Sequence, residues 1–371
     1  MSTLVGILLQ ASLPTLFWLG ISAQDAPQLM PMLAESGADH YICHQQKAGD
    51  VLTVLDAAAE NGVKVYAGFP DLISNPEENI GIINSHPAFE GYYLKDEPEV
   101  WDIDGLGKLV ERFNTLDPGV PCYINLYPNW AWDEEKYASR IELFANTVDV
   151  PFFSFDQYPV TEVDGKVVVR PTWYRNLEEF SEMARRHGKP FWAFALTKSH
   201  YLGPPSPPAF YPVPTLGTLR LQVMSDLLYG AQCIQYFTFG GIYKPETLEK
   251  TEVFDIVREV NREIKALSPV FLGAKVHGVW HSGDVIPPYT KRFSTEAVPS
   301  LKELSMSGEG GVVSLLENGK HVYMAVQNRD CINKASLNTV FKKRVKLFGG
   351  RKARSFNLEI EPGDAVVFQL K

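Results

Sequence analysis

The residues best placed to do chemistry end one aromatic stretch, Phe89-Glu90-Gly91-Tyr92-Tyr93-Leu94-Lys95-Asp96-Glu97-Pro98. Phe and Tyr suit a pleated, half-buried strand. Pro98 cannot donate to a ladder, so it marks the strand's C-terminal end. Two acids, Asp96 and Glu97, are thus delivered at a strand terminus. A second run, Phe153-Ser154-Phe155-Asp156, ends in a third acid. Side chains alternate along strands. With Glu97 facing a cleft, Lys95, Tyr93 and Gly91 share its face, while Tyr92 and Leu94 turn away. Asp96 then points sideways unless a bulge turns it in. The same alternation sends Ser154 and Asp156 inward, together with Asn125 and Tyr127 of the preceding strand. Glu97, Asp156, Lys95, Asn125 and Tyr127 gather on one rim.

Two carboxyl groups facing one cleft are what acid–base cleavage of a glycosidic bond requires. One must be protonated to help the leaving oxygen depart, and the other ionised to attack carbon or activate water. Confinement pushes their pKa values apart and assigns the roles. This predicts Glu97 as general acid and Asp156 as its partner, with Lys95 tuning the pair. The plainer alternative is a buried Asp156–Lys95 ion pair. Candidate contacts around the rim are Trp18, His44, Asp71, Trp130, Trp132, Tyr158, Lys198, His200, Tyr201 and Tyr236. Indole and phenol rings cover the apolar face of a pyranose, and polar groups bind its hydroxyls. Lys198, at a strand end, also carries a minor alternative as a Schiff-base lysine. His40 and His44 are four apart on a strand, without an HExxH motif or a joining carboxylate cluster, so no metal is expected. No cofactor is expected either, since no GxGxxG or Walker motif follows any strand.

These side chains need a scaffold that presents strand ends on one face. Strand patterns at 16–21, 40–44, 63–69, 89–97, 122–127, 152–158, 191–197 and 233–239 alternate with helical patterns at 26–36, 49–60, 76–85, 102–116, 133–147, 174–187, 216–229 and 252–267. Strict alternation argues a parallel sheet under a layer of helices. Eight units over about 250 residues predict a (β/α)₈ TIM barrel, with its chemistry at the C-terminal strand ends. The loop 199–214 carries six prolines, Pro204, Pro205, Pro207, Pro208, Pro212 and Pro214. It reads as a stiff wall of that face. After 268–269 the pattern changes to short alternating runs at 276–280, 312–316, 321–327, 345–348, 355–360 and 365–370. They predict a small antiparallel β-sandwich. The division is a barrel over 1–270 and a β-sandwich over 271–371.

The chain has 371 residues, 45% of them hydrophobic, and a net charge of −9. That charge argues against nucleic acid as a partner, because a phosphate backbone calls for a basic face. Lys342-Lys343-Arg344 with Arg351, Lys352 and Arg354 reads as a solvated face of the sandwich. Cys43, Cys122, Cys233 and Cys331 are widely spaced and form no CxxC pair, so they read as buried thiols. Residues 4–21 are apolar, but no Lys or Arg precedes them, as a signal peptide would require. Pro14 breaks them as a membrane span. No targeting segment is expected, and the sequence specifies no oligomeric state.

Eight segments carry a resemblance. Gly91-Tyr92-Tyr93-Leu94-Lys95-Asp96-Glu97-Pro98, Phe153-Ser154-Phe155-Asp156-Gln157-Tyr158-Pro159 and Pro190-Phe191-Trp192-Ala193-Phe194 resemble retaining clan A glycoside hydrolases, above all β-galactosidase-like barrels of polysaccharide-degrading bacteria. Leu216–Gln222, Tyr229-Gly230-Ala231 and Gln235-Tyr236-Phe237-Thr238 resemble the end of such barrels. Val322–Arg329 and Glu361-Pro362-Gly363-Asp364 resemble their C-terminal sandwich. The resemblance implies a carbohydrate substrate, β-linked or plant-type, and an acid/base at Glu97. It also implies an exported protein, since such enzymes are often exported. In those enzymes Asn usually precedes the acid/base, where this chain has Asp96. Their nucleophile is a Glu at the end of strand seven, where this chain reads Phe191-Trp192-Ala193-Phe194-Ala195-Leu196-Thr197-Lys198, without an acid. Asp156 acting in an inverting enzyme, a loop acid such as Glu246, or a barrel that binds glycans without cleaving them are the alternatives this leaves.

Overall fold

The computed structural model describes residues 12–202 and 210–371. Eight parallel strands close into a barrel in sequence order: β1 (Thr15–Trp18), β2 (His40–His44), β3 (Lys64–Gly68), β4 (Phe89–Asp96), β5 (Cys122–Leu126), β6 (Phe153–Phe155), β7 (Phe191–Leu196) and β8 (Cys233–Phe237), with β8 pairing back on β1. The fold is the (β/α)₈ barrel that the alternation predicts. Period-two patterning sorts each strand. Tyr92, Leu94, Phe153 and Phe155 turn outward into the core beneath the helices. Trp18, Tyr66, Tyr93, Tyr123 and Phe194 turn inward and fill the barrel. Such interiors are usually aliphatic; here they are largely aromatic, with Phe152 stacked on Trp192 at 3.6 Å. Gly91 makes the room, since a Cβ there would lie 2.6 Å from the Tyr66 ring.

The helices follow their apolar stripes, as in Ile103–Leu116, where Leu106, Val110 and Phe113 are buried. The predicted helix over 133–147 starts later, at Tyr137–Thr147. The last barrel helix, Glu252–Phe271, runs through Pro269 rather than stopping before it. Helix Leu216–Tyr229 is buried almost all round. Thr215 caps it by accepting from the Thr218 amide at 3.2 Å, and Gly230 ends it at φ +105°.

That helix is covered by a seven-stranded antiparallel sheet folded over its own core of Val313, Met324, Phe341, Phe356 and Phe368. Sequence patterning missed one of its strands, Leu301–Met306, and most of the long strand Ala335–Leu347. Polar groups stitch sheet to helix. Ser225 Oγ donates to Gln327 Oε1 (2.7 Å), Gln327 Nε2 donates to Leu221 O (2.9 Å), and Ser314 Oγ donates to Leu228 O (2.8 Å). The basic side chains at 342–344, 351, 352 and 354 are exposed. The four cysteines are free and buried.

A small sheet over the barrel mouth also escaped the sequence reading. The hairpin Val160–Val163 with Lys166–Val169 pairs with Phe210–Tyr211, which pairs with His200–Tyr201. Only His200–Tyr201 and Phe210–Tyr211 of the 199–214 loop are strand, and Pro212 and Pro214 follow them in irregular structure; Pro204, Pro205, Pro207 and Pro208 lie outside the described residues, as does the 1–11 part of the apolar N-terminal run. Among the described residues no helix is long and apolar enough to cross a membrane.

Candidate functional site at the barrel mouth

The site begins with an irregularity in β4. Tyr93 pairs with Tyr123 of β5, and the next pair is Lys95 with Ile124, so Leu94 is an extra residue. This bulge shifts the alternation by one. Leu94 packs outward, Lys95 follows it toward solvent, and Asp96 turns in, opposite Asn125. The next residue, Glu97, adopts φ +45° while its amide donates to Asn125 O at 2.8 Å. The left-handed turn lets Glu97 face the same cavity as Asp96. The bulge thus delivers two adjacent acids to one site. Lys95, expected on this rim, instead lies 3.7 Å from Asp102, with nearly half of its side chain exposed.

Beneath the acids runs a chain of hydrogen bonds with a single direction. Tyr123 OH donates to Gln235 Oε1 (2.6 Å), and Gln235 Nε2 donates to Ser154 Oγ (2.8 Å). Ser154 Oγ donates to Asn125 Oδ1 (2.8 Å). Asn125 Nδ2 then donates to both Asp96 Oδ1 (3.1 Å) and Asp156 Oδ1 (2.9 Å). Each donor fixes the next, so the Asn125 amide can present only its N–H face to the acids. Four of these residues, Tyr123, Asn125, Ser154 and Gln235, are buried. Gln235 and Tyr123 went unnoticed in the sequence, although strand alternation places both inside the barrel.

Burial raises all three carboxyls. Asp96 is pushed up to about 6, against the opposing pull of Asn125 and Lys95. Glu97 is raised by desolvation, then by the charges of Asp156 and Asp96. Asp156 is raised by desolvation and by Asp96, while bonds from Asn125, Glu97 and Tyr158 pull it down. Their contact acts in opposite senses, raising Glu97 and lowering Asp156, which favours the proton on Glu97. The alternative ion pair between Asp156 and Lys95 does not form; Lys95 pairs with Asp102 instead.

The cavity above the acids measures about 400 Å³. Trp18, Tyr127, Trp130, Tyr158, His200 and Tyr211 line it, with Phe194, Leu202 and Phe237 completing the wall. The Arg170 guanidinium lies 5.2 Å from the Trp130 ring and 5.4 Å from the Tyr211 ring, pinning two walls together. His200 stacks on Tyr211 at 4.8 Å. Gln157 contributes a buried amide. Its Nε2 reaches Asn129 Oδ1 at 3.3 Å, but its Oε1 has no partner and is free to accept from a ligand hydroxyl.

No family model matches the chain, and no curated protein does. Several solved structures are similar to the chain, glycoside hydrolases prominent among them. An alpha-L-fucosidase GH29 from Bacteroides thetaiotaomicron is 12% identical, covering 94% of this chain and 80% of that one at a TM-score of 0.46. The endoglucanase Cel5A of Pseudomonas stutzeri is 13% identical, covering 63% and 83% at 0.44. A truncated 3-deoxy-D-arabino-heptulosonate 7-phosphate synthase from Thermotoga maritima is 12% identical, covering 68% and 86% at 0.38. Likeness at this distance concerns the barrel fold; what the site does has to be argued from its own side chains.

Of the expected contacts, Trp18, Asn125, Tyr127, Trp130, Tyr158 and His200 line the cavity with Asp96, Glu97 and Asp156. The others do not. Tyr236 is fully buried on the outer side of β8, donating to Asn261 Oδ1 at 2.6 Å. Alternation explains this, because Gln235 takes the inward place. Trp132 is buried in the core near Tyr137. His44, at the C-terminal end of β2, packs against Tyr93 at 5.4 Å and does not line the cavity. Asp71, Lys198 and Tyr201 are exposed and outside the cavity, and so is the loop acid Glu246. Strand seven contributes Phe194, with no acid beyond it.

Proposed function

We propose that the chain is a glycoside hydrolase with Glu97 as general acid and Asp156 as second carboxylate. The observation that carries this reading is the pairing of the two buried carboxyls at the floor of an aromatic cavity, where their contact raises Glu97 and lowers Asp156. Trp18, Trp130 and Tyr127 offer flat apolar faces to a sugar ring, and the free Gln157 Oε1 accepts from a hydroxyl.

Paired carboxyls in glycosidases stand about 5–5.5 Å apart in retaining enzymes and about 6.5–9.5 Å apart in inverting ones. A sugar entering this site must therefore part Glu97 from Asp156. Glu97 swings from its turn at the strand end, while Asp156 stays tethered to Asn125. Glu97 then passes its proton to the bridging oxygen as the bond to the anomeric carbon breaks. Asp156 takes a proton from the water that attacks that carbon, which inverts the configuration. After product leaves, Glu97 is ionised and Asp156 protonated. Their renewed contact returns the proton directly and resets the pair.

A second reading, a barrel that binds glycans without cleaving them, draws support from the apolar end of strand seven. One experiment separates the two. Aryl glycosides and plant oligosaccharides are screened with wild type, Glu97→Gln and Asp156→Asn. Product formed by wild type and lost in both variants supports hydrolysis. Binding without product supports the second reading.

A further inference from the structure

A second cavity, of about 450 Å³, lies where the mouth hairpin meets the C-terminal sheet. Its walls are mainly aliphatic, including Val167, Val169, Pro171, Ile286, Pro287 and Ile332. Val285 and Ile332 stand at the rim with 77% and 60% of their surface exposed. Into this apolar setting comes Arg329. Its Nη2 donates to the carbonyls of Ser282 (3.1 Å), Val285 (2.8 Å) and Glu309, but its buried Nε has no partner. No carboxylate lies within ion-pairing distance among the described residues, and residues 1–11 and 203–209 contain no acid. Two acids do line the cavity. Asp330 is occupied by the amides of Ile332 (2.8 Å) and Asn333 (2.9 Å) and by Asn333 Nδ2 (3.0 Å), and Glu309 is exposed.

Arg170 and Tyr174 line the same cavity. Arg170 Nε is also buried without a partner. Tyr174 is 3% exposed, and its hydroxyl makes no hydrogen bond of normal geometry. Ser225 lies beside that hydroxyl but donates its own proton to Gln327. A guanidinium withdrawn from water normally has an anionic partner, because carbonyl dipoles offset only part of its lost hydration. Its planar fork matches a carboxylate, and the aliphatic walls match an apolar body.

We propose that this cavity binds a small carboxylate carried on an apolar body, with the carboxylate on Arg329 and the body between Val169, Ile286 and Ile332. The site is independent of any reaction at the barrel mouth. Arg170 belongs to the wall between the two cavities, so the occupant sits directly behind Trp130 and Tyr211.

The test is calorimetric titration of the full chain with benzoate, with glucuronate and sulfate as parallel arms. Benzoate is expected to bind, and to bind more tightly than either of the others. Arg329→Gln is expected to weaken benzoate by at least about tenfold, the cost of a lost bond to a charged group. That variant also loses its bonds to three carbonyls, so Ile332→Asp is the companion. Ile332 is exposed, so the change disturbs no buried side chain, and a carboxylate at the rim repels the probe. Weakening in Ile332→Asp alone sustains the proposal where Arg329→Gln does not fold. No benzoate binding to wild type, or binding that the folded variants leave unchanged, overturns it. Sulfate or glucuronate binding as tightly as benzoate overturns the apolar-body assignment.

Discussion

Glu97 and Asp156 meet at the barrel mouth, and their contact raises Glu97 while pulling Asp156 down. Burial raises both groups, so the pair is set to work at higher pH than exposed carboxyls would. Under the proposed mechanism, activity needs Glu97 protonated and Asp156 ionised. It falls as pH rises through the raised pKa of Glu97 and as pH drops through the raised pKa of Asp156. The expected kcat/KM profile is a bell displaced to the alkaline side of the ordinary carboxylate range. Glu97→Gln should remove about 10²–10⁴-fold of the rate on substrates with poor leaving groups. Unchanged hydrolysis in that variant would sink the general-acid assignment.

Neighbours of the pair shift the bell in opposite senses. The charge of Asp96 raises both Glu97 and Asp156, so Asp96→Asn should move both limbs to lower pH. The amide of Asn125 lowers Asp156, so Asn125→Ala should move the acid limb upward. The alanine variant also leaves Ser154 without its acceptor, a cost of roughly 1–3 kcal/mol in stability. Profiles and thermal unfolding measured on both variants check these signs.

Lys95 is turned out of the site by the bulge at Leu94. Its pair with Asp102 is exposed and contributes about 0–1 kcal/mol. Lys95→Ala should leave binding and turnover within about twofold, the scale of such an exposed pair. A large rise in KM would mean that Lys95 reaches the substrate after all.

Asp226 sits on the buried helix Leu216–Tyr229 with one carboxyl oxygen unpartnered, and burial raises its pKa well above the usual value. The native state therefore keeps a proton that the unfolded chain releases above about pH 4, so this residue makes stability fall as pH rises. Asp226→Asn should flatten that slope. The difference in melting temperature between variant and wild type should grow from pH 4.5 to pH 8. An unchanged slope would rule out a protonated Asp226.

The barrel was legible because strand and helix periods alternate without interruption. The outward packing of Tyr92, Leu94, Phe153 and Phe155 follows from period two alone. Alternation fails at Leu94, because a bulge leaves no reliable mark in a run of apolar residues. That one insertion accounts for both errors on β4: Asp96 faces in and Lys95 faces out. Tyr236 was misplaced for a different reason. Its aromatic character suggested a sugar contact, while its register beside Phe17 already assigned it to the helix layer. Gln235, the inward residue, was hidden by its ordinary polarity. The hairpin over the mouth was missed because four-residue strands between helices resemble loop.

Helix Leu216–Tyr229 has no face of its own for solvent. One side lies on the barrel and the other is sealed by Gln327, Ser314 and Gly363 of the C-terminal sheet. A protein cut at residue 270 would expose that apolar surface along its whole length. Such a fragment should be recovered as insoluble aggregate, and re-adding the C-terminal piece during refolding should restore solubility. The β-module is then better regarded as a cladding that the barrel half needs in order to stay in water than as an appended binding unit, and gene dissection at that joint is expected to leave the barrel half insoluble.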